Sequence, residues 1–246
     1  RAYDADTGAL IWEDRIEESG APNAVNALAL AIDGNRLFAA GVGEGFRRSG
    51  DFLVRAYDAT SGEVLWQDQV DGSGRYDAAT DVSVSGGRVS VAGTIVTRRT
   101  GYFTIRTYDA RTGALLWQDN FAAPGGTAEG FSVASVGGKV FAAGSAFKTI
   151  PGGPEFLIRA YDSGTGSLLW EDHFDGGGYA LAFRVTATGN RVFAVGSVGS
   201  TPGYQEFLVR AYDARTGRLV WQDHLDTGGG AQASAVATGG GCVFAA

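Results

Sequence analysis

The sequence predicts an all-β chain built as a β-propeller of four-stranded antiparallel blades, five of them, closed by pairing of the N- and C-terminal half-blades. Three observations carry this expectation. A twelve-residue segment, RTYDARTGALLW at 106–117, recurs with small changes from residues 1, 55, 159 and 210, a period of 51 to 54 residues. A period near that length with strand-like segments marks a propeller or array of small sheets rather than a helical solenoid. Apolar residues alternate, or run in short β-branched and aromatic stretches bounded by Gly, Asp and Asn, and no amphipathic helical period occurs. Finally, 39 Gly stand against 5 Pro without a G-X-Y period, so the glycines serve many tight turns.

Taken in order, residues 1–3 and 10–16 read as strands three and four of a blade whose first half is missing. Four complete sets follow. The repeat at 78–121 displays them best: a strand over 80–85, the turn Gly86-Gly87, a strand over 88–95, a variable loop through 97–101, a strand over 102–108, a turn at 109–113 and a strand over 114–121. The first turn recurs as Gly34-Asn35, Gly137-Gly138, Gly189-Asn190 and Gly239-Gly240, chemistry that supplies the positive φ of a tight hairpin. The chain ends on strands one and two, about 233–237 and 242–246. Joining these to the N-terminal strands three and four would remove two free sheet edges, the usual closure of a propeller. Residues 1–246 are then one domain. Strand three elsewhere starts with an extra FLV or FTI, as in Phe52 to Val54, and this piece is missing at the junction. A larger propeller cut at both ends is therefore the competing architecture. The chain starts without Met and begins and ends inside repeats, as a segment of something longer does.

Bulk chemistry excludes several functions. A net charge of −7 and a pI near 4.8 oppose non-specific nucleic-acid binding. Eighteen of the twenty basic residues are Arg, which fits either a GC-rich genome or a use of stacked, bidentate contacts. One cysteine, Cys242, rules out an internal disulfide and Cys-cluster metal sites. His173 and His224 occupy equivalent places in separate repeats, which argues against a shared two-His metal centre. No metal is expected, and no run of 18 apolar residues predicts a membrane-spanning helix.

The five copies of the repeated segment read AYDADTGALIW, AYDATSGEVLW, TYDARTGALLW, AYDSGTGSLLW and AYDARTGRLVW. The aspartates Asp4, Asp58, Asp109, Asp162 and Asp213 end a strand, where a carboxylate can accept backbone N–H bonds within the turn. Thr7, Ser61, Thr112, Thr165 and Thr216 can reinforce it. Gly8, Gly62, Gly113, Gly166 and Gly217 supply the positive φ of a bulged hairpin. Trp12, Trp66, Trp117, Trp170 and Trp221 then have fixed places on strand four, where each is expected to pack flat between blades. This pattern resembles the tryptophan-docking motif, AxDxxTGxxxW, of PQQ-type propellers: quinoprotein dehydrogenases and their non-enzymatic relatives. Three copies match it fully, the second has Ser61 for Thr, and the third has Thr107 for Ala. The resemblance covers essentially the whole chain and implies a fold; the motif stacks blades in every family that carries it.

Two more columns repeat. Arg1, Arg55, Arg106, Arg159 and Arg210 lie on strand three, and Asp14, Asp68, Asp119, Asp172 and Asp223 follow each Trp by two residues. Pairing Tyr57 with Val64 would set Arg55 facing Trp66 and diagonal to Asp68, stacked on the indole and paired within its own blade. Five identical anion-binding arginines are the functional alternative, outweighed because a residue present in every blade serves the blade interface. The Tyr column (Tyr3, Tyr57, Tyr108, Tyr161, Tyr212) is read as core.

Function is expected where blades differ. Five residues before the first turn, strand one carries Ala29, Asp81, Ser132, Arg184 and Ser234, so Asp81 and Arg184 are candidate channel-mouth binding residues or a mutual charge pair. The loops before strand one, at 17–26, 71–81, 124–129, 175–179 and 226–232, share no pattern. Basic tips at Arg47, Arg48, Arg98 and Arg99, beside Phe46, and a further tip at Phe147-Lys148, are candidate partner contacts. No phosphate loop, HExxH, GxSxG or EF-hand pattern occurs. The resemblance implies, for a catalytic relative, eight blades, a vicinal Cys pair and a Glu, Asn and Asp calcium set; one Cys excludes that pair. Asp81 and Glu129 are available acids without an evident partner. The chain thus reads as a non-enzymatic binding or scaffolding propeller without cofactor or catalytic residues, acting through loops and channel mouth on a protein partner or on copies of itself. By resemblance it is periplasmic, cell-surface or secreted. The alternatives are a fragment of a larger PQQ-dependent quinoprotein dehydrogenase and a multivalent lectin-like module; the latter needs repeating loop pockets, and the loops do not repeat.

Overall fold

A computed structural model describes residues 1–16, 26–45, 50–72, 76–98, 100–148, 153–201 and 204–246. Among these residues there is no helix, and four complete blades follow one another. The first comprises β3 (Asn26–Asp33), β4 (Arg36–Glu44), β5 (Gly50–Asp58) and β6 (Val64–Val70). The second comprises β7 (Ala78–Ser85), β8 (Arg88–Val96), β9 (Gly101–Asp109) and β10 (Leu115–Phe121). The third holds β11 (Ala128–Val136), β12 (Lys139–Phe147), β13 (Pro154–Asp162) and β14 (Leu168–Phe174). The fourth holds β15 (Tyr179–Thr188), β16 (Arg191–Thr201), β17 (Tyr204–Asp213) and β18 (Leu219–Leu225). Each is a four-stranded antiparallel sheet in chain order, the arrangement of a β-propeller. The chain opens with β1 (Ala2–Tyr3) and β2 (Leu10–Trp12) and closes with β19 (Val236–Gly239) and β20 (Cys242–Ala245).

The turn between strands three and four has one chemistry throughout. Asp109 Oδ1 accepts from the backbone N–H of Arg111 and Thr112 and from the Thr112 hydroxyl at 2.8 to 3.1 Å, while Gly113 N donates to the Asp109 carbonyl at 2.9 Å. Gly113 takes a φ of 74°, which side chains disfavour. The same glycine also lies flat under an indole. A Cβ on Gly113 would fall 2.7 Å from Trp66 of the preceding blade, and Gly62, Gly166 and Gly217 meet Trp12, Trp117 and Trp170 in the same way.

Each indole is then fixed from two further sides by the following blade. Its Nε1 donates to the carbonyl of Ala59, Ala110, Ser163 or Ala214, for Trp12, Trp66, Trp117 and Trp170 respectively, at 2.9 to 3.3 Å. Its ring lies 5.6 to 5.9 Å from Tyr57, Tyr108, Tyr161 or Tyr212. The apolar core is likewise shared across seams: Val82 and Tyr108 of the second blade pack with Phe38, Phe52 and Val54 of the first.

The arginine column departs from expectation. Arg106, Arg159 and Arg210 pair with Asp68, Asp119 and Asp172 of the preceding blade at 2.9 to 3.3 Å, and Arg55 with Asp14 at 2.8 Å, rather than with the aspartate of their own blade; Arg159 also pairs with Glu171 of its own blade at 2.6 Å. The rings beneath Arg159 and Arg210 are Phe121 and Phe174, at 4.3 and 4.0 Å, not an indole. A register shift in the strand three–four hairpin is the reason: it sets Ala56 opposite Trp66 and Arg55 opposite Gln67. Tyr108, Tyr161 and Tyr212 donate to the same three aspartates at 2.8 to 2.9 Å and accept from their own Arg Nε at 2.7 Å. Burial pushes all three phenols well above their ordinary pKa, so they remain protonated donors.

Closure by the terminal half-blades is also corrected. β1–β2 and β19–β20 form two separate two-stranded sheets. Among the described residues β20 pairs with β19 and with no strand of the N-terminal half-blade. The last tight turn is Gly240-Gly241, with φ of 59° and 78°, one residue later than expected, so Ala235, not Ser234, completes the strand-one column.

Candidate functional site

The inner strands of the blades are bulged at one place each. The register slips between Ala27 and Ala29, Ala79 and Asp81, Gly130 and Ser132, and Ala182 and Arg184. Opposite each slip strand two carries a glycine, Gly41, Gly93, Gly144 or Gly196, where a Cβ would fall 1.8 to 2.1 Å from the carbonyl of Asn26, Ala78, Glu129 or Leu181. A bulge re-aims the residue after it, and here that residue belongs to the variable column. Asp81 turns to the next blade: Oδ2 accepts from the Ser132 hydroxyl at 2.7 Å and Val133 N at 3.0 Å. Ser132 in turn accepts from Val185 N at 3.2 Å. Arg184 is exposed, and its Nη1 donates to the carbonyls of Phe131 and Phe183 at 3.4 and 3.1 Å. Asp81 and Arg184 thus lie in separate blades with Ser132 between them, and no ion pair joins them among the described residues.

Of the basic tips, Arg98 lies exposed just beyond β8, and Arg47, Arg48 and Arg99 lie outside the described residues. Lys148 is not a free tip. Its ammonium bridges Glu155, at 3.0 Å, and Asp175, which raises its own pKa and lowers that of Asp175.

Two buried acids escaped the sequence reading. Asp77 is fully buried just before β7, and Asp51 is 6% exposed on β5. Asp77 accepts from Val96 N at 2.5 Å and Gly72 N at 2.6 Å. Asp51 Oδ2 accepts from Gln69 Nε2 at 2.7 Å, and its Oδ1 is buried with no hydrogen-bond partner. Asp71, exposed, completes a group in which one oxygen of each carboxylate lies within 4.8 Å of the others. Burial first, and neighbouring carboxylates after it, push Asp51 and Asp77 above the ordinary Asp range. Glu129 is raised by burial alone. The only sequence signal for Asp77 was a break in its column, since it stands two residues before Ala79, and Ala128 and Ala180 stand two residues before Gly130 and Ala182, the residues opposite Gly144 and Gly196.

The two outermost complete blades each leave a face uncovered. Leu28, Leu30 and Ile32 on β3 are 50 to 63% exposed, whereas Val82, Val133 and Val185, the counterparts of Leu30, are 5 to 6% exposed. On the opposite side Trp221 is 42% exposed against 9% for Trp170, and it borders an open cleft with Phe193, Gly240, Gly241 and the exposed Cys242. Correspondingly, no atom lies within 4 Å of a Cβ placed on Gly8. Among the described residues one docking knob and one docking turn of the series are therefore unmatched.

Comparison with known proteins agrees with this geometry. A family model described as outer membrane protein assembly factor BamB matches residues 1–153 and 101–246. A tetrathionate hydrolase of Acidithiobacillus ferrooxidans is 39% identical over 74 residues, 29% of this chain and 13% of that protein. Among solved structures, a europium-containing methanol dehydrogenase aligns over 86% of this chain and 44% of its own with a TM-score of 0.55 at 13% identity. A quinohemoprotein alcohol dehydrogenase of Comamonas testosteroni aligns over 89% and 39%, TM-score 0.55, 16% identity. A hydrazine synthase chain of Kuenenia stuttgartiensis aligns over 91% and 55%, TM-score 0.54, 13% identity. The chain thus spans about half or less of the length of each of these proteins, and the structural likenesses speak for the fold. With the docking turn present in every repeat and the family match running from end to end, the chain belongs to the PQQ-like β-propeller repeat family described by the outer membrane protein assembly factor BamB.

Proposed function

We propose that this chain is a non-enzymatic binding and scaffolding propeller whose partner is protein, either another polypeptide or a second copy, and that it works outside the cytoplasm. The observation that carries the reading is the match, from end to end of the chain, to a family model described as an outer membrane protein assembly factor. An exposed Trp221 beside an open cleft, and a β3 bearing the exposed Leu28, Leu30 and Ile32, are surfaces that the internal seams of the same chain cover. Exposed apolar area of this kind marks an interaction surface. The family description, an assembly factor, supports a protein partner and a location outside the cytoplasm. The divergent loops and the mouth positions Asp81 and Arg184 would then set which partner is chosen, with Arg47, Arg48, Arg98 and Arg99 at the rim.

Sedimentation velocity over a range of concentrations tests the self-association form, with Trp221→Ser and Leu30→Asp as face variants. Association that either variant abolishes supports the reading. A chain that stays monomeric while its Trp221 fluorescence is shielded from a soluble quencher would show that the face is covered internally, and the docking role would fall. For another polypeptide, loop-tip variants to Ser at Arg47-Arg48 and Arg98-Arg99 should weaken a captured partner. A second reading, part of a larger quinoprotein dehydrogenase, is favoured by the 39 to 44% of such chains that this one spans. It predicts that the protein takes up added PQQ with a shifted absorption band; an unshifted spectrum rejects it.

A further inference from the structure

Among the described residues, the seam between the first and second blades carries a cluster of three carboxylates that no other seam has. Asp51, Asp71 and Asp77 each offer an oxygen within 4.8 Å of the others, and Asp51 and Asp77 are both more than nine-tenths buried. Buried like charges at this distance are costly unless something positive lies among them. Hydrogen bonds answer part of that cost at Asp77, whose two oxygens both accept backbone N–H bonds, and at Asp51 Oδ2. They leave Asp51 Oδ1 buried and unpartnered. No Lys or Arg forms an ion pair with Asp51 or Asp77 among the described residues.

The protein itself indicates what belongs there. Glu155 is the third-blade counterpart of Asp51: each is the second residue of its strand and precedes a Phe. Asp175 is the counterpart of Asp71, each following the last residue of strand four. Between Glu155 and Asp175 sits a cation, the ammonium of Lys148. The first blade keeps the two acids, adds a third in Asp77, and has Gly45 where the third blade has Lys148.

We propose that Asp51, Asp71 and Asp77 bind a hard divalent cation, calcium by preference, which takes the place that the Lys148 ammonium holds in the third blade and ties the first blade to the second. The donor set is oxygen only, with neither His nor thiolate, which selects against zinc and copper. Two of the carboxylates are already constrained by hydrogen bonds, and calcium tolerates an irregular set of six to eight oxygens where magnesium demands a regular octahedron. The exposed side of Asp71 leaves room for water to complete the sphere. The ion would join the start of β5, the residue after β6 and the residue before β7, three chain segments already linked by Gln69, by the Gly72 N–H to Asp77 carboxylate bond of 2.6 Å and by the Asp77 N–H to Gly50 carbonyl bond of 2.7 Å.

Thermal unfolding of the whole chain at neutral pH, after chelation and then with added CaCl2 or MgCl2, tests the site. We expect a saturable rise in Tm with calcium, about 3–6 °C at ten times the dissociation constant for a chain of this size, and a smaller rise with magnesium. Asp51→Asn and Asp77→Asn should each abolish the response, and Asp51→Asn should melt no lower than the chelated wild type because it removes an uncompensated charge. Glu155→Gln, in the Lys148 cluster, should keep it. Should Asp77→Asn fail to fold for want of its second N–H acceptor, Asp51→Asn and Asp71→Asn carry the test. A wild type without a saturable rise overturns the proposal, as does a rise that survives in Asp51→Asn. A response that appears only in Arg75→Gln, a residue of the same loop outside the described residues, overturns it in favour of a guanidinium counter-ion.

Discussion

Gly166 and Gly137 share a left-handed backbone, with φ of 73° and 58°, but not a neighbourhood. Around a Cβ on Gly137 there is open space, while one on Gly166 would lie 2.7 Å from the Trp117 ring. Gly137→Ala should therefore cost only the backbone penalty of about 1–2 kcal/mol. Gly166→Ala should add displacement of the docked indole and reach about 3 kcal/mol or more, measurable by urea unfolding of the two variants. The turn aspartates set a pH dependence. Hydrogen bonds from the Thr or Ser three residues on, through hydroxyl and backbone N–H, hold Asp58, Asp109, Asp162 and Asp213 below the ordinary Asp range. A depressed folded-state pKa gives stability that is complete above the unfolded value, near pH 4, and is lost as pH falls through the folded value. Tm should thus fall below pH 4, and Thr112→Val should lessen that dependence by raising the Asp109 carboxyl. These residues were legible in the sequence because each recurs in every repeat. Asp77 was not, because a single buried acid has no periodicity, and burial is a property of what packs over a residue.

At the level of strands, the repeat read from 78 to 121 agrees with β7 to β10 to within two residues at every boundary. Alternation and paired turn glycines locate strands well because both are local. The arginine partner was assigned to the wrong blade for a reason that periodicity itself creates. When Arg and Asp recur with the same spacing, pairing within a blade and pairing with the blade before leave the same pattern in the sequence. Only the register shift that sets Ala56 opposite Trp66 decides between them. The inner-strand bulges were equally hidden, although the strand-two glycines opposite them, Gly41, Gly93, Gly144 and Gly196, were visible as a column. Asp81 now has a seam role that can be separated from any binding role. Asp81→Ala would leave the Ser132 hydroxyl and Val133 N–H without their acceptor, a loss of about 1–3 kcal/mol. Arg184→Ala, at an exposed position, should stay within about 0.5 kcal/mol. Chemical denaturation of both variants checks this, and a partner that Arg184→Ala weakens without loss of stability would mark that residue as a contact.

For the whole molecule, the expectation of a closed ring rested on counting half-blades, and the count was right while the closure was not made. The two ends can be told apart by experiment. Trp170→Ala, buried in a complete seam, should cost about 3–5 kcal/mol, and Trp221→Ala about 1 kcal/mol in the dilute chain. The exposed Cys242 beside Trp221 should react readily with a maleimide in dilute solution and become protected wherever the Trp221 face is covered. Mass spectrometry of the labelled fraction against concentration reads both states. Every seam, moreover, is built from unlike halves: the leading blade gives an indole and a carboxylate, and the trailing blade gives a bare glycine, a carbonyl, a phenol and a guanidinium. Such a coupling has a direction, like the two ends of a filament subunit. It cannot relate two copies by a twofold axis, so any assembly made through it either adds units in one sense without limit or comes back upon its own beginning.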